Sequence, residues 1–125
     1  MMVENLNWLA VILGAAAAFG LGMIWFSPMM FGKAWVEGSH GIKPPDSPPL
    51  AAMLVQGLGT LALALVVGLT VAGGLLGTAI LAILAASLLA AGMDLFSQKS
   101  LPATLIDSAY IAAMGALMLL AHAIF

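Results

Sequence analysis

Residues 50–93, LAAMLVQGLGTLALALVVGLTVAGGLLGTAILAILAASLLAAGM, carry no Asp, Glu, Lys, Arg or His, and they decide the fold. The only break in the run is Ala72-Gly73-Gly74. The halves on either side, 50–71 and 74–93, are each close to the roughly 20 residues that a helix rising about 1.5 Å per residue needs to cross the hydrocarbon layer. So short a turn makes the two helices antiparallel neighbours. Working outward, two further apolar runs of the same size flank this hairpin, at 8–26 and 103–124. The chain reads as all-α: a polytopic membrane protein with a four-transmembrane-helix bundle spanning residues 1–125 as a single domain.

Composition agrees. Of the 125 residues, 64% are hydrophobic and 6% charged, and mean hydropathy is +1.20, far from the roughly 25% charged residues of a soluble domain. With no cysteine, disulfides and thiolate metal sites are excluded. There is no Arg, and Lys33, Lys43 and Lys99 form no basic cluster, so no nucleic-acid partner is expected. Small residues at Ala15 to Ala18 imitate a signal-peptide cleavage region, but Glu4, Asn5 and Asn7 precede the run where a signal would place basic residues. The first run is therefore expected to stay in the chain as a helix.

All three lysines fall in the loops after spans one and three, hence on one side of the membrane. The positive-inside bias puts that side in the cytoplasm, with both termini and the Gly-Gly turn outside. Trp25 and Trp35 mark the inner boundary and Trp8 the outer one, as interfacial anchors do. The loop 27–49 changes character along its length. Its first part offers Met29, Met30, Phe31, Trp35 and Val36 around Lys33 and Glu37, which suits a short interfacial segment. In its second part Pro44, Pro45, Pro48 and Pro49 disfavour helix and sheet, so an extended linker is expected.

Small residues recur every four positions at Gly14, Ala18 and Gly22, at Ala82, Ala86 and Ala90, and at Ser108, Ala112 and Ala116. Such stripes let membrane helices approach closely, although Ala and Gly are abundant enough here to produce them by chance. The segments 22–27 and 92–97 share Gly, Met, Phe and Ser, a faint sign of a two-hairpin duplication, with coincidence at least as good an explanation.

Ionisable groups within a span are costly and are the first place to look for function. Asp107 lies a few residues into the last run, on one helical face with Tyr110, Met114 and Met118. In one reading Asp107 and Tyr110 form a proton or cation site, the phenol hydrogen-bonding the carboxylate. The plainer reading, favoured by the shallow depth, pairs Asp107 with Lys99 or has it cap a helix. Asp94, Gln98 and Lys99 read as solvated interface residues, and Gln56 as an interhelical hydrogen-bonding group. His40 and His122 have no ligand companions at helical spacing, and the methionines are scattered, so no metal and no cofactor are expected. No nucleophile stands beside a base, no carboxylates pair on one element, and no phosphate-binding loop occurs, so the chain is not expected to be an enzyme.

The segment Trp25-Phe26-Ser27-Pro28-Met29-Met30-Phe31-Gly32-Lys33-Ala34-Trp35, following Asn7-Trp8-Leu9-Ala10-Val11, resembles a family of small four-span bacterial membrane proteins, the domain of unknown function 1761. The resemblance runs along the whole chain. It implies the four-span fold and a bacterial inner-membrane location, and it brings no activity. In the last span such proteins often carry a polar residue, then Tyr three positions later, then His. Asp107 and Tyr110 match, and Ile111 departs. Two functions remain open. One is an accessory or structural subunit packing against another membrane protein or itself in the lipid bilayer, with Trp25, Ser27, Pro28, Phe31, Gly32, Lys33 and Trp35 as recognition surface. The alternative is a small dimeric proton- or cation-coupled transporter using Asp107.

Overall fold

The computed structural model describes residues 5–43 and 45–125; Glu4 and Pro44 lie outside the described residues. Five helices follow in order: α1 (Trp8–Trp25), α2 (Gly32–Gly38), α3 (Leu50–Ala72), α4 (Leu76–Phe96) and α5 (Leu101–Ile124). The four long ones are apolar and long enough to span a membrane, and no strand occurs among the described residues.

Each helix end has a local cause. Asn7 Oδ1 accepts from Ala10 N at the start of α1, and Ser100 Oγ accepts from Ala103 N at the start of α5, each satisfying a backbone donor that the helix itself leaves free. Because Ser100 caps and Pro102 is tolerated in the first turn, α5 begins two residues before the apolar run suggests. The third span departs further from expectation, covering Leu76–Phe96 rather than 74–93. At its start, Gly74 takes φ +73° and closes α3, with Leu75 N bonded to Thr70 O and Gly74 N to Val71 O. At its end, Asp94 stays helical because Leu95 and Phe96 continue the apolar run behind it. The chain then reverses at Gln98 (φ 60°), where Lys99 N bonds to Asp94 O and Gln98 N to Leu95 O. This is the same C-terminal motif, built without glycine.

α5 is the hub, packing against α1, α4, α2 and α3, while α3 also meets α1 and α4. The core gathers Val11, Ala18, Ala64, Val67, Ile83, Tyr110, Met114 and Met118. Of the small-residue stripes, one lies in a seam: Gly14 and Ala18 are buried, and a Cβ on Gly14 would stand 3.2 Å from Met118 Cα. The buried face of α4 is instead Ala79, Ile83 and Ser87, beside the expected stripe. On α5, Ala112 and Ala116 are exposed; Tyr110, Met114 and Met118 make the packing face because larger side chains fill the centre of the bundle.

Candidate functional site

The chemistry collects where α1, α2, α4 and α5 meet at the lysine-bearing end. After α1, the chain turns sharply at Ser27, whose carbonyl accepts from both Met30 N and Gly32 N. A Cβ on Gly32 would lie 2.5 Å from the Phe26 carbonyl oxygen, so only glycine fits the turn. This lays α2 against α5. There Ser100 N donates to Gly38 O, and His40 Nε2 meets Ser97 O at 2.8 Å. The interfacial segment is thus a strap folded back onto the bundle. Beyond it, the described residues from Ile42 to Pro49 form no regular structure and are exposed.

Two tryptophans fix the strap and the end of α1 to α5. Trp25 Nε1 donates to the Ile106 carbonyl at 3.0 Å, and Trp35 Nε1 donates to Asp107 Oδ1 at 2.8 Å. Between them sit Phe26 and Tyr110, their rings 5.3 Å apart and edge-on, with Phe26 edge-on to Trp35 at 5.8 Å. Phe31 covers Trp25 at 4.8 Å. Such offset and edge contacts add stabilisation beyond area burial.

The other oxygen of Asp107 faces Lys99. Lys99 Nζ lies 3.3 Å from Asp107 Oδ2 and 3.6 Å from Asp94 Oδ1, and 5.0 Å above the Trp35 ring. The side chains of Asp94, Lys99 and Asp107 are 15%, 20% and 20% exposed. The expectation that Asp94 and Lys99 are solvated is therefore corrected: the reversal at Gln98 swings Lys99 back over the helix end, between two carboxylates and an indole face.

The bond between Asp107 and Tyr110 that one of the two readings requires does not form. Tyr110 OH donates to the Ala18 carbonyl at 2.8 Å, because Tyr110 is turned toward α1 and Gly22 leaves room there. A Cβ on Gly22 would come 2.5 Å from the hydroxyl. The pairing of Asp107 with Lys99 is what the plainer reading describes. Of the proposed recognition motif, Trp25 and Trp35 spend their N–H groups inside the molecule and Gly32 is buried, while Pro28, Phe31 and Lys33 are exposed and Ser27 bonds the Ile24 carbonyl at 2.7 Å. As a unit the motif is an internal clamp with an exposed tip.

Sequence reasoning paired Lys99 with Asp107 but missed Asp94 as a member of this cluster. The signal was Leu95-Phe96: two apolar residues after Asp94 keep it within a helix.

Elsewhere, Gln56 is exposed and lines a membrane-facing cleft of about 210 Å³ with Gly59, Thr60, Leu63, Ala86, Ile111 and Met114. Thr60 Oγ1 donates to the Gln56 carbonyl at 2.7 Å. His122 sets Nδ1 3.0 Å from the Met118 carbonyl, leaving Nε2 buried and unpaired. Among the described residues no three His, Asp or Glu side chains gather as metal ligands.

A family described as protein of unknown function (DUF1761) matches residues 9–123, nearly the whole chain and the entire clamp. The chain belongs to this family. No curated protein and no solved structure matches it. The match reaches into all four long helices and includes the Phe-Gly-Lys-x-Trp segment, while Asn7 and Trp8 lie just before it; the family's description attaches no activity.

Proposed function

We propose that this DUF1761 protein is a non-catalytic accessory or structural subunit that packs laterally against a larger complex in the bacterial cytoplasmic membrane. Its lysine-bearing end and strap face the cytoplasm by the positive-inside bias. One observation carries the reading: the bundle ties Trp25, Trp35, Tyr110, Lys99 and Asp107 to one another and to its own backbone, while α3 and α4 present broad, largely apolar outer faces. Leu54, Val55 and Leu58 on α3 and Leu81, Leu84, Leu88 and Leu89 on α4 are all exposed, and a Cβ on Gly59 or Gly77 would meet nothing within 4 Å. Bare glycines on a lipid-facing helix admit close approach by a neighbouring helix. The test is extraction of the tagged protein from its native membrane in gentle detergent, reading the mass of the intact assembly and its subunits. A stoichiometric larger complex supports the reading; a lone chain or homodimer sinks it.

A second reading has its own support. The cluster at Asp107 holds two carboxylates against one ammonium, an imbalance that suits a small dimeric proton- or cation-coupled transporter. Asp107→Asn should then abolish proton-dependent flux in vesicles, and unchanged flux would remove Asp107 from that role.

A further inference from the structure

Gln56 is the one amide side chain within the four long helices among the described residues, and it is exposed. It stands about 9 Å along α3 from Leu50 by the helical rise, inside the hydrocarbon layer, where a lipid tail offers neither donor nor acceptor. An amide carries two N–H donors and a carbonyl. The Gln56 amide is set toward the Tyr110 hydroxyl, which already gives its own hydrogen to the Ala18 carbonyl and so takes one N–H at most. One N–H and the carbonyl are left without a partner among the described residues.

The surface around Gln56 suits a second helix. Ala52, Gln56, Gly59, Leu63 and Val66 recur at alternating spacings of four and three, which keeps them on one strip of α3. Ala52, Gly59 and Val66 are exposed, and a Cβ on Gly59 would meet nothing within 4 Å. Beside the strip opens the cleft of about 210 Å³, lined also by Ala86 of α4 and by Ile111 and Met114 of α5, a hollow that can seat a side chain from outside. Small residues flanking a polar one let two membrane helices come close enough to share a hydrogen bond. A second copy of this chain answers these features directly. Copies inserted under the same positive-inside bias share one orientation, so a two-fold axis between them runs along the membrane normal, the two α3 helices lie parallel, and a residue beside the axis meets its own counterpart. An amide is its own complement, N–H to carbonyl in one direction and carbonyl to N–H in the other. A lipid tail fills the hollow but leaves both groups unpaired.

We propose that the protein pairs with a second copy of itself through this strip of α3, the two Gln56 amides exchanging hydrogen bonds across the axis and the two Gly59 residues allowing the approach. In each copy the Tyr110 hydroxyl steadies the amide through its other N–H. The exposed leucines of α4, Leu81, Leu84, Leu88 and Leu89, stay outside the strip, so a pair can still pack against a larger complex. The inference goes beyond both readings of function and holds under either.

The chain has no cysteine, so a single one can be placed as a probe. With the purified protein in phosphatidylcholine vesicles, mild oxidation should cross-link Ala52→Cys chains into dimers and should spare Leu54→Cys, which is 64% exposed on the far side of α3. Energy transfer between copies labelled at a cysteine added after Phe125, followed as lipid is added, measures how tightly the pair holds. Gln56→Leu should weaken it about tenfold, and Gln56→Asn, which keeps the amide on a shorter stem, should weaken it less. Gly59→Leu should abolish the pair. Its Cβ meets nothing within the chain, so this variant keeps the fold and stands as the test if Gln56→Leu does not fold. Energy transfer no greater than random proximity gives overturns the proposal. So does a pair that Gln56→Leu and Gly59→Leu leave unchanged, or cross-linking at Leu54→Cys in place of Ala52→Cys. These vesicles hold only this chain, which separates the result from extraction of the native membrane. A pair here without a larger complex there retires the accessory reading alone; a larger complex there without a pair here retires this inference alone.

Discussion

α4 and α5 have similar lengths, 21 and 24 residues, yet 39% of the most apolar window of α5 is buried in the bundle against 17% for α4. The less apolar helix is the more buried. In water the reverse would hold, but lipid tails are as apolar as leucine, so burial in a membrane goes to the helix with polar groups to satisfy and room for close contact. α5 supplies Asp107, Tyr110, the Ile106 carbonyl and Gly115. α4 turns its leucines to the lipid and keeps a narrow seam of Ala79, Ile83 and Ser87.

Four substitutions test that contrast, most directly by reversible unfolding in mixed micelles. Met118→Ala empties the centre of the core, where Met118 is wholly buried, and should cost about 2–5 kcal/mol; a loss under about 0.5 kcal/mol would mean that α5 is not the hub. Trp35→Phe keeps an aromatic ring but takes the indole donor from Asp107, for an expected loss of about 1.5–3 kcal/mol. It should also speed hydrogen exchange across α2, whereas unchanged exchange would show that the strap is held by other contacts. Gly115→Ala drives a methyl into Ile83 and should cost about 1–3 kcal/mol. Adding Ile83→Val should recover part of the loss, and a lack of recovery would argue against the α4–α5 register. Leu88→Ala, on the outer face of α4 and 70% exposed, should change stability by less than about 0.5 kcal/mol. A larger loss in native membranes than in micelles would point to a neighbour on that face.

How much of this could be read from the residues varied with scale. The spans were legible because a membrane demands long apolar runs, and the minimal turn was legible because Gly73-Gly74 supplies it. The ends of α4 and α5 were less so: an apolar count stops at Asp94 and at Pro102, whereas a helix continues wherever its caps permit. The clamp motif stood out in the sequence, but not its direction. Trp25 and Trp35 have the look of boundary anchors, and only the tight turn at Gly32 reveals that their N–H groups point inward. The cluster around Lys99 depends on a left-handed residue at Gln98, a position where glycine is the usual signal and where its absence hid the reversal.

The bonds that close the clamp have a temporal consequence. Those from Trp25, Trp35 and Tyr110 join residues 81, 72 and 92 positions apart, and in each one partner belongs to α5. None can form until the last helix has emerged from the ribosome and entered the bilayer. Until then Trp35 on the strap and Trp25 at the end of α1 lack these partners. Insertion of α5 is therefore the event that closes the clamp.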